Sequence, residues 1–145
     1  MLIQIEGFSS DNHDLMQESY KIRNTVFVEE QGVDKNIEYD GFDSDSTHYI
    51  VFVNNKPAAT MRWRETSKGI KLERLAVLKA FRGKSIGSLL LRYVMEEVLP
   101  SKQRIYMHSQ AYIADYYDFH GFKRVGELFI EAEIEHYEME YKSKN

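Results

Sequence analysis

The sequence contains no cysteine. That excludes disulfides, a cysteine nucleophile and any thiolate metal site. It also agrees with a cytoplasmic location, which is the one expected. The five histidines (His13, His48, His108, His120 and His136) are scattered and form no H-x-x-x-H or H-E-x-x-H pair, so no metal site is expected. A basic excess is missing as well. Lysine and arginine total 19 against 23 acidic residues, a net charge of −4. Nothing is left over to displace the counterions of a nucleic acid, and none is expected as a partner. Long apolar runs are absent too. The longest, such as residues 50–53 and 89–91, are a few residues each and cannot span a bilayer. The opening "MLIQIEGFSS" lacks a basic start followed by an apolar stretch, so it does not read as a signal peptide. There are only two prolines, and no repeat, low-complexity tract or linker. With 145 residues and 43% hydrophobic content, the chain reads as one domain over residues 1–145 with a proper core. The tail 141–145 is expected to be frayed.

What is present is aromatic: ten tyrosines and eight phenylalanines. "LIQIEG" reads as a short strand. Residues 12–30 read as helical, with Leu15, Ser19, Ile22 and Val26 on one stripe and Met16, Arg23 and Phe27 beside it. A polar, acidic loop follows. "HYIVFV", "AATMRWRE" and "IKLERLAVL" are strand-like and separated by the turn sequences "NNKP" and "TSKG", which predicts an antiparallel meander. Ile86, Leu89, Leu90, Tyr93, Val94 and Val98 recur at helical spacing up to Pro100. "QRIYMHS" is again a strand, so the helix before it implies a crossover and a parallel pair. "AYIADYYDFH" reads as a shorter helix stopped by Gly121. "FKRVGELFI" and "HYEMEYK" read as closing strands. Glu131, Glu133 and Glu135 share one strand face, but the apolar Tyr137, Met139 and Tyr141 take over that parity, so a turn or bulge is expected near residues 132–135. The fold class is mixed α/β: a six- or seven-stranded sheet with helices on both faces. Edge strands near the carboxyl end make a homodimer an expectation.

The stretch "RGKSIG" carries the tail of a nucleotide-binding P-loop, but that pattern needs a glycine where Leu78 stands. The bulky approach "LERLAVLKAF" cannot curl as a P-loop does. Another phosphate cradle remains open. A strand runs into Arg82, Gly83, Lys84 and Gly87, and a helix starts at about Ser85. The free N–H groups of a helix start converge on one point and favour an anion. Glycines let the backbone approach closely, and Arg82 and Lys84 add charge. The plainer reading is a strand–helix turn with solvated basic residues.

These residues carry a resemblance. "LERLAVLKAFRGKSIGSLLL" resembles motif A of the GNAT superfamily of acyl-CoA-dependent N-acyltransferases, a strand followed by Arg/Gln-x-x-Gly-x-Gly/Ala. That motif falls on Arg82, Ser85 and Gly87. Ser85 replaces the middle glycine; it is small and a good helix cap, so the departure is expected to be tolerated. "AYIADYYDFHGF" resembles motif B, with Tyr117 four residues before Gly121. "IRNTVFVEEQ", "THYIVFVNNKPAATMRW", "HSQAYIADYY" and "GELFIEAEIEHYEM" are similar to the ElaA-like branch along the whole chain.

The resemblance implies a GNAT-like fold and an N-acetyltransferase that moves the acetyl group of acetyl-CoA to a primary amine in a ternary complex. The pyrophosphate would sit on the backbone of Arg82, Gly83, Lys84, Ser85, Ile86, Gly87 and Ser88. The pantetheine arm would pair with backbone groups of Leu75, Ala76 and Val77, and an N–H there would stabilise the oxyanion. Tyr117 is the implied general acid, beside an ordinary Tyr116. Glu73, reading as sharing a face with Leu75 and Val77, is the candidate base; an ion pair with Arg62 or Lys71 is the competing reading. His136 is the second candidate base, and His108 reads as packing. Arg23, Glu30, Gln31 and Arg62 map near the acceptor end. The glutamates at 131, 133 and 135 would attract a cationic amine, although a solvated strand face is the plainer reading. The acceptor is a small-molecule amine or a protein amine. A non-catalytic acyl-CoA-binding domain is the alternative. No metal enters either reading.

Overall fold

The computed structural model describes residues 1–142. Seven strands run β1 (Ile3–Phe8), β2 (Ser46–Val53), β3 (Lys56–Thr66), β4 (Gly69–Val77), β5 (Ile105–Gln110), β6 (Phe122–Glu131) and β7 (Ile134–Tyr141). The sheet order is β1-β2-β3-β4-β5-β7-β6. Every neighbouring pair is antiparallel except β4–β5. The meander and the single parallel crossover match the sequence reading. Asn54 and Asn55 both take positive φ, so the β2–β3 connection is a tight two-residue turn. Ala132 and Glu133 do the same between β6 and β7. Glu133 therefore lies in a turn, and the three glutamates do not form one continuous strand face.

Helices cover both faces. Helix α1 (His13–Arg23) continues directly into a π-helix (Asn24–Glu30). Met16, Ile22 and Val26 from this rod pack on Phe8, Ile50 and Ala76. A short α2 (Lys35–Glu38) follows. Helix α3 (Ile86–Val98) covers the other face, burying Ile86, Leu90, Leu91, Val94, Met95 and Val98. The buried stripe is rotated from the predicted one, since Leu91 and Met95 go inside while Tyr93 is 37% exposed. Each such side chain contributes roughly 1.5–3 kcal/mol by burial. Helix α4 (Ala114–Phe119) sits beside α3, with Ala114 and Tyr117 in the same core.

Two irregularities position the site. On β4, Arg74 and Leu75 together oppose the single residue Met61, and Arg74 has φ +60°. This bulge inverts the side-chain alternation. Glu73 pairs with Arg62 on the α1 face, whereas Leu75 and Val77 pack with the α3 core. The expectation that Glu73 shares a face with Leu75 and Val77 is thus corrected: a period of two does not survive a bulge. On β6 the register slips between Val125 and Phe129, at Gly126 with φ +78°, which brings Phe129 opposite His136. The expected fraying at the carboxyl end is corrected for Tyr141. It pairs with Phe122, and its ring stands where a Cβ on Gly121 would come within 2.9 Å. Lys142 donates its N–H to the Gly121 carbonyl, and residues 143–145 lie outside the described residues.

Candidate active site

Strands β4 and β5 pair only at Ile70–Ile105, Lys71–Tyr106 and Leu72–Met107. Beyond those pairs they part, and the facing edges of both strands lose their partner. A cavity of about 350 Å³ opens at this split. Of the sequence-derived candidates, Gln31, Glu73, Leu75, Tyr117, Glu131 and His136 line it. Ala76 is buried on the α1 face, and Val77 packs toward α3.

Tyr117 is 8% exposed, in edge contact with Tyr116 and Phe122. Among the described residues its hydroxyl has no protein hydrogen-bond partner, so it is free for whatever enters the cavity. Burial pushes its phenol far above the ordinary value, with Tyr116 and Tyr112 adding to the shift. It stays protonated through the neutral range, as a proton donor must. Tyr116 behaves as expected: its hydroxyl lies 2.7 Å from Ser88 Oγ, which is also 3.1 Å from His120 Nε2. That cluster pins the start of α3 to α4.

His136 is 6% exposed. Its Nδ1 lies 2.7 Å from the Ile134 carbonyl oxygen. A carbonyl only accepts, so Nδ1 carries the proton and the neutral ring keeps an acceptor at Nε2. Nε2 is 3.8 Å from Glu131 Oε2. Glu131 also accepts from His108 Nδ1 at 3.1 Å, while His108 Nε2 is 3.2 Å from Glu138. Phe129 stacks under His136 and meets His108 edge-on. The hydrogen bond from His108 lowers the Glu131 carboxyl, against a raising effect of burial. His108 thus holds Glu131 in place at the cavity wall rather than merely packing.

Glu73 is ringed by cations. Arg62 Nη2 is 3.1 Å away, Arg64 Nε 2.7 Å and Lys71 Nζ 3.3 Å. Burial works to raise its carboxyl, but Arg62, Arg64 and Lys71 together outweigh it and hold it below the usual range. The ion-pair reading describes its geometry, and a carboxylate so held is a weak base. Arg62 is fully buried and spends its guanidinium on Asp40 (2.7 Å), Asp43 (2.8 Å) and Glu73. Arg23 is 2% exposed and holds Glu38 (2.6 Å) and Asp43 (2.8 Å). Neither lines the cavity. They form the frame beneath it. Arg74, carried by the bulge, pairs with Glu38 at 2.9 Å and Asp40 at 3.2 Å. Sequence reasoning names Lys71 only as an ion-pair partner of Glu73, and Arg64 and Arg74 not at all. The available signal for the first two was strand parity, since each sits two residues from Arg62 or Glu73.

The loop before α3 keeps the predicted position with one correction. Ser85 precedes α3 in a left-handed conformation, φ +61°, and its side chain makes no capping bond. It occupies backbone space that glycine ordinarily takes, instead of acting as a helix cap. Gly83 has φ +76° and open space around its Cα, so the loop backbone is approachable. Gly87 packs closely, because a Cβ there would lie 3.3 Å from Val77 Cγ2, a tight contact, and at an ordinary 3.6 Å from the Tyr116 hydroxyl. The first turn of the 13-residue helix α3 leaves N–H groups free beside Gly83. Arg82 donates to the Val77 carbonyl and to Glu30, both at 2.9 Å. Lys84 has no ion-pair partner among the described residues. Glu30 therefore tethers the loop and does not reach the cavity. Gln31, at the end of the π-helix, accepts from Gln110 Nε2 at 2.8 Å and so bridges the split between α1's rod and β5. No helix is long and apolar enough to cross a membrane, and no cluster of three metal-ligating side chains occurs among the described residues.

Comparison with known proteins places these features in a family. Residues 13–143 match the family described as Acetyltransferase (GNAT) domain. The N-acetyltransferase YjcF of Bacillus subtilis, described as uncharacterized, is 28% identical over 130 residues, 88% of this chain and 93% of that protein. ElaA of Escherichia coli is 28% identical over 123 residues, 80% of each chain. The crystal structure of Escherichia coli ElaA matches with a TM-score of 0.87 at 23% identity, covering 97% of this chain and 100% of that one. An aminoglycoside 6′-N-acetyltransferase solved with coenzyme A matches with a TM-score of 0.74 at 14% identity, over 94% and 95% of the two chains. The split sheet, the left-handed loop before α3 and the sequence match agree: the chain belongs to the GNAT acetyltransferase family, with ElaA among its relatives.

Proposed function

We propose that this protein is an N-acetyltransferase that moves the acetyl group of acetyl-CoA to a primary amine by direct attack in a ternary complex. The observation that carries this reading is the parting of β4 and β5 beyond Leu72 and Met107, with the unpartnered Tyr117 hydroxyl facing the gap. The free edges supply backbone groups for a pantetheine arm from Leu75, Ala76 and Val77, although Arg82 already engages the Val77 carbonyl. The loop of Arg82, Gly83, Lys84 and Ser85 and the first turn of α3, from Ile86 through Gly87 and Ser88, offer free N–H groups to a diphosphate. Ser88 serves there through its backbone, because Tyr116 and His120 hold its hydroxyl. The aminoglycoside enzyme solved with coenzyme A has the same fold.

In the reaction the amine nitrogen attacks the thioester carbonyl carbon. The C–N bond forms, the C–S bond breaks, and the carbonyl oxygen is stabilised by a β4 backbone N–H. His136 Nε2 takes the amine's proton, and Glu131 at 3.8 Å steadies the imidazolium that results. Tyr117 gives its proton to the departing thiolate, and the proton held by His136 returns to the phenolate through solvent as the products leave. Alignment of the two substrates in the split supplies the remaining rate acceleration.

The test is thermal unfolding with acetyl-CoA, free CoA or Mg-ATP, followed by thiol release from acetyl-CoA with a panel of amines. A ligand at one hundred times its dissociation constant adds about 2.7 kcal/mol, hence several degrees. Stabilisation by acetyl-CoA and CoA but not by Mg-ATP is expected. For Tyr117→Phe, turnover should fall on the order of 10²–10⁴-fold with the acetyl-CoA shift intact. Failure of CoA to stabilise the protein would remove the proposal, and full activity of Tyr117→Phe would remove the role of Tyr117.

A further inference from the structure

The charges around the cavity are unevenly distributed. Glu38, Asp40 and Asp43 are matched by Arg23, Arg62 and Arg74. Among the described residues Arg64 and Lys71 form ion pairs only with Glu73, which Arg62 also contacts, and the Lys71 charge additionally acts on Glu131. Two cations thus share part of one carboxylate. They are also direct cross-strand partners on β3 and β4. Like charges facing each other across a ladder destabilise a sheet unless something answers them. The Arg64 guanidinium is anchored by Nε on Glu73 and by stacking at 3.9 Å on Phe42. Its two Nη groups make no hydrogen bond within the protein among the described residues, and Arg64 and Lys71 both line the cavity. A held guanidinium with its outer fork free is shaped for a carboxylate.

The opposite charge also lines the cavity. Glu131 is held by His108 with His136 Nε2 nearby. Glu38, Asp40 and Glu73 also line the cavity but are paired with arginines. Among the described residues, the donors left over are therefore the Arg64 Nη groups, and the carboxylate without an arginine partner is Glu131, on which Lys71 also acts.

Resting on the N-acetyltransferase reading above, we propose that the acceptor is a free amino acid or close amino-carboxylate. The Arg64 fork, with Lys71, holds its carboxylate, and Glu131 draws its ammonium toward His136. The ammonium gives up one proton to solvent on entry and the second to His136 Nε2 as the C–N bond forms and the C–S bond breaks, while Tyr117 protonates the departing thiolate, so the products are an N-acetylamino acid and CoA thiol. A polyamine lacks the carboxylate and would bring further positive charge against Arg64 and Lys71.

The test compares amino acids with their decarboxylated amines, pair by pair, for thiol release from acetyl-CoA. For at least one pair, kcat/KM is expected to be roughly ten- to a hundredfold higher for the amino acid, as loss of a charged hydrogen-bonded pair implies. In Arg64→Gln that ratio should collapse to near one, through a raised KM for the amino acid. Arg64→Lys should recover part of it. Lys71→Gln supplies a second variant, read the same way, should Arg64→Gln fold poorly. A merely structural role for Arg64 would lower both members of a pair alike, and that result overturns the proposal. So does acetylation of the plain amines as well as or better than the amino acids, or of no amino acid at all, while acetyl-CoA still raises the melting temperature. Absence of any acetyl-CoA shift instead overturns the underlying acetyltransferase reading.

Discussion

Single residues in this protein divide by whether their polar groups are already used. Tyr117 was singled out in the sequence because a tyrosine stands four residues before a Gly-Phe pair, and its hydroxyl is free in the cavity. The resemblance maps Arg23 and Arg62 near the acceptor end by position alone, but their guanidiniums are committed to Glu38, Asp40 and Asp43. Removing one partner of such a buried set leaves uncompensated charge. Arg62→Ala should therefore lower the unfolding free energy by about 3–5 kcal/mol, measured by urea denaturation. A variant that loses acceptor affinity but keeps its stability would return Arg62 to the acceptor site. No sequence pattern distinguishes a framework arginine from a binding one, because the distinction lies in which carboxylates fold against it.

At the scale of elements, the segment spanning residues 34–45 is held over the sheet by charge more than by apolar contact. Its Glu38, Asp40 and Asp43 meet Arg23, Arg62 and Arg74, while Ile37, Tyr39 and Phe42 remain substantially exposed. Burial raises the Asp40 carboxyl, but hydrogen bonds from Arg62 and the Phe42 N–H, with the charges of Arg62 and Arg74, carry it down to about 2. Asp43 and Glu73 shift in the same direction. A carboxyl depressed in the folded state binds its proton more readily once unfolded. Its contribution is complete above the unfolded value near 3.8 and is lost as pH falls toward 2. Stability should thus decline steeply between about pH 4 and 2, and Asp40→Asn should flatten that decline in acid titrations followed by circular dichroism. An unchanged profile in Asp40→Asn would show that Asp40 does not hold the segment. The π-helix and the β4 bulge belong to this scale as well. The helical stretch over residues 12–30 was legible from its apolar stripe. The change of hydrogen-bond pattern at Asn24 and the positive φ at Arg74 were not, since neither position carries a glycine or proline to mark it.

For the molecule as a whole, the sheet is nearly divided. The meander β1–β4 and the hairpin β6–β7 with β5 meet along three parallel residue pairs, helped by the Gln31–Gln110 bond. A ligand seated in the split would fasten both halves. Saturating acetyl-CoA should slow amide hydrogen exchange on residues 73–77 of β4 and 108–110 of β5 by about a hundredfold, in line with a ligand at one hundred times its dissociation constant. Slowing confined to the loop of residues 82–88 would mean that the pantetheine arm does not lie between the strands.

The sequence alone was enough for the strands and their order of appearance, the parallel crossover, the long helix before Pro100, a break in strand alternation near residues 132–135 and the family. All of these rest on local signals: alternation, helical spacing, turn residues and short motifs read along the chain. Tertiary structure alone decided where β4 and β5 part, that a bulge at Arg74 turns Glu73 away from Leu75, and which of five cations answer which carboxylates. Those outcomes depend on residues far apart in sequence meeting across the sheet: strand parity can put Arg64 on the face of Arg62, but neither its distance to Glu73 nor that between Glu131 and His136 can be read from local spacing.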